Sequence, residues 1–112
     1  MNTATSGPSA EGVFSFTKAQ IRGAVLDIVF GRTTHHPQQI GLLFAAVALH
    51  LMPADKQAQF PHPRLDSASK MLLREVVWDL IAEKVLTPGL NVENHDLPYF
   101  RLHSEAQQNL KK

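Results

Sequence analysis

The sequence predicts a mainly α domain of three helices closed by a small β-hairpin. Apolar residues recur at helical spacing in three separate stretches. The last of them ends at Thr87-Pro88-Gly89, and a polar loop then leads into the aromatic run Tyr99, Phe100, Arg101, Leu102. A helix that stops at turn residues and is followed by a second pleated segment is the pattern of a hairpin. Pairing its two strands covers the end of the core that three helices leave open.

The first helix is expected over about residues 18–30. Thr17 is placed to cap it, Ile21, Val25, Ile28 and Val29 form its apolar face, and Gly31 supplies a stop. Ahead of it, Phe14 and Phe16 alternate with Val13 and Ser15, which suits a short strand or a hydrophobic staple. Pro37 fits the first turn of a second helix, where its missing N–H costs nothing. That helix is expected over about residues 37–52, with Ile40, Leu43, Phe44, Val47 and Leu51 on one face and Leu42 and Leu49 off it. Residues 53–64 carry Pro53, Pro61 and Pro63 and read as a long loop with one turn near Lys56. Such length between helices points to function or interface. A cap at Asp66 or Ser67 opens the third helix, expected through about residue 84, with Leu72, Leu73, Val76, Val77, Leu80 and Ile81 as its stripe.

Composition sets the outer limits. A chain of 112 residues suffices for one small core. Hydrophobic residues at 44% and charged residues at 19% indicate a globular rather than a disordered chain. The formal net charge is only +1, so attraction to a polyanion must come from a local patch. The lack of cysteine excludes disulfides, thiolate metal sites and cysteine nucleophiles, and is compatible with a cytoplasmic location. Residues 1–12 lack the basic start and apolar run of a secretory signal and are expected to form a disordered arm. The folded domain is expected over 13–104, with a polar tail over 105–112. The most apolar run, residues 40–52, is about 13 residues long, against roughly 17 to 25 for a bilayer span. A buried helix and no membrane anchor are expected.

The segment from Leu80 to Arg101 resembles the end of many bacterial winged helix-turn-helix domains. Their pattern of Leu-Ile, then Leu-Thr-Pro-Gly, then a polar wing into Leu-Pro-x-Phe-Arg-Leu is matched by Leu80-Ile81, Leu86-Thr87-Pro88-Gly89, and Leu97-Pro98 with Phe100-Arg101-Leu102. The resemblance implies a three-helix winged helix-turn-helix domain, with a recognition helix over about 67–84 and a wing over about 88–98. It implies a DNA-binding transcriptional regulator without a cofactor, often a homodimer on a palindromic site. Winged helices also bind RNA and dock proteins. Two departures stand out: the long proline-rich loop replaces a short turn, and the wing carries Glu93 and Asp96 with no lysine or arginine.

Opposite its core stripe, the third helix presents Ser67, Met71, Arg74, Glu75 and Trp78, with Lys70 nearer the flank. The candidate contacts to double-stranded DNA are Arg64, Ser67, Lys70 and Arg74, with Asn91, Asn94 and His95 in the wing. Arginine can grip a guanine edge with two hydrogen bonds, and serine can reach phosphate or base. The alternative is a protein-interaction module in which Met71, Trp78 and the proline-rich loop form the contact surface, or a core in which that loop covers both side chains. Leu42 and Leu49 offer a surface for dimerisation. A basic face around the third helix favours DNA, and an exposed Met71–Trp78 patch favours a protein partner.

Other chemistry has little support. The six histidines include the pair His35-His36, but no spacing typical of a zinc site exists, and no metal is expected. Asp27, Asp79 and Glu83 have no nucleophile or base beside them in sequence, and Gly23, Gly31 and Gly41 are too isolated to cradle a phosphate, so no enzyme is expected. Gly23 and Gly41 within helices each cost about 1 kcal/mol against alanine, which close helix–helix approach would explain. Lys18, Arg22 and Arg32 read as a solvated face or as phosphate contacts. Arg101 is expected to pair with Glu83 rather than with phosphate.

Overall fold

The computed structural model describes residues 12–33 and 37–110. The expected arm, apart from Gly12, and the His35-His36 pair lie outside the described residues. The described residues form a mainly helical fold with two small pairs of strands.

Helix α1 (Lys18–Val29) begins at a complete capping box. The Gln20 amide donates to Thr17 Oγ1 at 3.1 Å, and the Thr17 amide donates to Gln20 Oε1 at 2.9 Å. At the other end Gly31 adopts φ +76°, which lets the Arg32 amide donate to Asp27 O and the Gly31 amide to Ile28 O. Glycine reaches that left-handed conformation without penalty, and the two bonds satisfy carbonyls that the helix end leaves open.

Helix α2 (Ile40–Leu51) begins three residues later than Pro37 predicts. The reason is long-range pairing. Gln39 bridges Tyr99 in antiparallel fashion, Gln38 O accepts from the Phe100 amide at 3.0 Å, and Pro98 O accepts from the Ile40 amide at 2.9 Å. Residues 38 and 39 therefore lie extended against the hairpin and are not available to the helix.

The long connection after α2 holds one turn of helix, α3 (Ala54–Gln57), at the place expected near Lys56. It then returns to the start of the domain. Strands β1 (Val13–Phe14) and β2 (Arg64–Leu65) pair in parallel, Val13 with Arg64 and Phe14 with Leu65. Phe60 meets Phe14 edge-on at 5.5 Å between ring centres.

Helix α4 (Ser67–Ala82) is capped by Asp66, whose carboxylate accepts from the Ser69 amide at 2.8 Å. It ends two residues short of the predicted limit, where Lys84 takes φ +63° and the chain turns into β3 (Leu86–Pro88). This strand pairs antiparallel with β4 (Phe100–Leu102) in the register Leu86 to Leu102, Thr87 to Arg101 and Pro88 to Phe100. Gly89 opens the loop at φ +92°, and a Cβ there would lie 2.5 Å from the His95 carbonyl oxygen. No other residue type fits that turn.

The predicted polar tail is in part a further helix, α5 (Ser104–Leu110), so the described residues hold five helices rather than three. His103 Nδ1 accepts from the Glu105 amide, and Ala106 is buried. A single buried alanine leaves no apolar period to read from sequence.

The core draws Ile21, Val25 and Ile28 from α1, Leu43 and Val47 from α2, and Leu73, Val76, Val77 and Leu80 from α4. Leu86 and Phe100 of the hairpin are buried in the same cluster. Among the described residues no helix is long and apolar enough to cross a membrane. Close helix approach does not explain the two helical glycines. A Cβ at Gly23 meets nothing within 4 Å, and one at Gly41 meets only Gln39 Oε1 at 3.7 Å. Gly23→Ala is therefore expected to raise stability by about 1 kcal/mol, read as a higher urea midpoint at unchanged slope. A loss of stability would mean that the site is not open.

Candidate functional site

The start of α4 is laced to the segment before α1, and this fixes the side chains around it. The Phe16 amide donates to the buried Ser69 Oγ at 3.0 Å, and Ser15 Oγ donates to Asp66 Oδ2. Burial pushes the Asp66 carboxyl up, but the donors from Ser15 and Ser69 outweigh it and hold the group below the ordinary aspartate range. A carboxylate with a depressed pKa contributes stability above its unfolded value, and that contribution fades as pH falls. The protein is expected to lose stability below about pH 4, and Asp66→Ala to cost roughly 1–2 kcal/mol at neutral pH while flattening that acid dependence. Thermal unfolding across pH 3 to 7 checks this; identical acid profiles for the two proteins would contradict it.

From this anchored end α4 turns Leu73, Val76, Val77 and Leu80 to the core and leaves Ser67, Met71, Arg74 and Trp78 outward. Met71 is 61% exposed and Trp78 is 58% exposed. They do not lie under residues 53–64, because β1–β2 pairing and the Phe14–Phe60 contact hold that connection against the start of the domain.

The two flanks of this outward face differ sharply in charge. Toward α2, Lys70 Nζ sits 5.8 Å and Arg74 Cζ 5.6 Å from the centre of the Phe44 ring. Beside them Arg64, Lys70, Pro63, Gly41, Phe44 and Ala45 help to line a depression of about 180 Å³. Among the described residues, Arg64, Lys70 and Arg74 form no ion pair, while Lys18, Arg22, Arg32 and Lys84 all do.

Toward α1 three carboxylates, Glu75, Asp79 and Glu83, are shared between two cations. Lys18 Nζ lies 3.1 Å from both Glu75 and Asp79, and its pKa is raised by their hydrogen bonds. Arg22 holds Glu83 with two contacts of 2.6 and 3.1 Å. Glu83 is thus taken, and the expected Arg101–Glu83 pair does not form. Arg101 instead donates to the Gly89 carbonyl at 2.9 Å, bracing the wing-like loop. Lys18, Arg22 and Arg32 lie on a solvated face, each beside a carboxylate.

The remaining sequence-predicted residues are dispersed. Asn91 and Asn94 close the β3–β4 loop upon itself: the Leu90 and Asn91 amides donate to Asn94 O, and the Asn94 amide donates to Asn91 Oδ1. His95 lies 3.6 Å from Asp96. Val92, which no pattern of residues singles out, is 88% exposed in the same loop. Leu42 is 60% exposed beside a depression of about 260 Å³ that also involves Leu90 and Tyr99, while Leu49 is half-buried. His50 lies 3.1 Å from Asp27, whose carboxyl is held below the ordinary range by Arg32 first and His50 second. These three tie the ends of α1 and α2 together. Among the described residues no three His, Asp or Glu side chains are grouped as metal ligands.

Phe44 packs partly buried against the core, as its periodicity suggests, and also meets two cations that periodicity does not reveal. Compared with protein-family models, curated proteins and solved structures, the chain finds no match.

Proposed function

We propose that the chain is a winged-helix protein that binds double-stranded DNA, with α4 entering the major groove and the β3–β4 loop acting as the wing, and that it serves as a transcriptional regulator. The observation that carries this reading is the cluster of Arg64, Lys70 and Arg74, three cations without a carboxylate partner among the described residues, at the anchored end of α4. The carboxylates of α4 that would repel phosphate are the ones held by Lys18 and Arg22. Arg64 and Lys70 reach phosphate in this arrangement, and Arg74, nearer the centre of the outward face, reaches a base edge. The order of elements supports the same reading, since the extended residues 38 and 39 between α1 and α2 bond to the hairpin as a third strand position.

Exposed Met71 and Trp78 favour a second reading, in which the same face docks a protein. Amide chemical-shift mapping with a mixed-sequence duplex separates the two. Perturbations centred on residues 64–74 and the β3–β4 loop are expected. An unperturbed spectrum at low salt contradicts DNA binding.

A further inference from the structure

Four large apolar side chains are strongly exposed among the described residues: Leu42, Met71, Trp78 and Val92. Two of them stand on one line along α4 with Arg74 between them. We propose that this line reads thymine methyl groups, so that the preferred DNA site places thymines on both sides of a guanine. The inference rests on the DNA-binding reading above and assigns the base chemistry of that same face.

At about 100° per residue, Met71, Arg74 and Trp78 fall within roughly 60° of one another around the helix. Along the axis, Met71 and Trp78 are separated by about 10 Å at 1.5 Å per residue. Base pairs stack at about 3.4 Å, so a helix lying along the groove sets these two side chains about three base pairs apart. Arg74 then faces the pairs between them.

The chemistry of the groove matches each position. Guanine offers N7 and O6 to a guanidinium, and the thymine C5-methyl is the apolar group on the major-groove edges. A thioether has no donor for phosphate and an indole has a single N–H, but both can shed water against a methyl group. Charge complementarity selects the occupant. Arg64 and Lys70 border this line on the α2 side, and on the α1 side Lys18 and Arg22 hold Glu75, Asp79 and Glu83 in ion pairs. A duplex supplies both the anionic rim and the central methyl groups. A protein partner would need acidic groups arranged around an apolar centre.

Uracil tests this cleanly, because deoxyuridine differs from thymidine by the methyl alone and leaves charge and base pairing intact. Two pools of short duplexes with a randomised centre are prepared, one with thymidine and one with deoxyuridine in its place. Loss of one buried methyl corresponds to about fourfold in affinity, so the thymidine pool is expected to bind roughly four- to tenfold more tightly. Sequences selected from it are expected to carry guanine with thymine, on either strand, within a few base pairs to each side. Met71→Ala and Trp78→Ala each narrow the difference between pools, whereas Arg74→Ala loses the guanine and keeps the methyl preference. Both apolar side chains are exposed, so these variants leave the fold intact. Trp78 is the only tryptophan, so its emission reports directly on the contact, shifting to the blue with the thymidine pool and less with the other. Equal binding of the two pools overturns the inference while DNA binding stands. Failure to bind either pool at low salt overturns both and assigns Met71 and Trp78 to a protein contact.

Discussion

Replacing Phe100 with alanine is expected to lower stability by about 3–5 kcal/mol, a large part of the total that a domain of this size holds. The side chain is 2% exposed and belongs to the same cluster as Ile28, Leu80 and Leu86. Its backbone is fixed on both sides, by Pro88 across the hairpin and by the amide bond to Gln38 O. The surroundings therefore cannot collapse into the space left behind, and the cavity adds to the lost transfer energy. Urea unfolding followed by circular dichroism measures the change. Val92→Ala, in the loop of the same hairpin and 88% exposed, is expected to stay within about 0.5 kcal/mol of the parent. Equal midpoints for Phe100→Ala and Val92→Ala would mean that the hairpin does not close the core.

Removing Lys70 and Arg74 together is expected to weaken duplex binding by about 10- to 100-fold at low salt. Each contributes differently. In the proposed complex Lys70 is a phosphate point charge and Arg74 a base-edge contact, so loss of Lys70 is expected to lower the slope of log affinity against log salt by about one. A two-pronged contact at a base edge is worth roughly 1–3 kcal/mol against the wrong base. Both side chains are exposed and rest on Phe44, so the fold should tolerate the change. Arg32→Ala removes the same unit of charge from a residue already paired with Asp27, and is expected to change binding little. If Arg32→Ala weakened binding as much as Arg74→Ala, general charge rather than this face would be responsible.

Much of the architecture was readable from local chemistry. Thr17, Gly31 and Asp66 mark the ends of α1 and α4 through bonds made within a few residues, and such bonds depend on residue type alone. Pro88-Gly89 likewise announces the turn that only glycine can make. What sequence did not reveal lies in contacts between distant segments. Gln38 and Gln39 have no strand-like character of their own and are extended because Tyr99 and Phe100 bond to them. Phe60 carries the proline-rich connection to Phe14 rather than over α4, which is why Met71 and Trp78 remain exposed. The α5 helix, SEAQQNL, is mostly polar and has too few apolar residues to show a helical period.

The candidate site divides along the same line. That Arg64, Lys70 and Arg74 gather near the start of α4 follows from helical spacing and a nearby strand. That they lack acidic partners does not, because the competing carboxylates are occupied by residues of α1, nearly half the chain away. A sequence count of Glu75, Asp79 and Glu83 suggests repulsion from phosphate, which Lys18 and Arg22 offset in part. Arg101 shows the converse: its expected partner Glu83 is taken by Arg22, so it braces Gly89 instead.

The central claim is that an unpaired cationic face on α4 binds double-stranded DNA. Its most direct test is fluorescence anisotropy of a labelled mixed-sequence duplex, titrated with the parent protein and with Lys70→Ala/Arg74→Ala at several salt concentrations. Binding is expected to weaken with salt, with a slope of about −2 if Arg64 and Lys70 meet phosphate as proposed, and to fall markedly in the double variant. Absence of binding at low salt, or equal binding by the parent and the double variant, would contradict the claim.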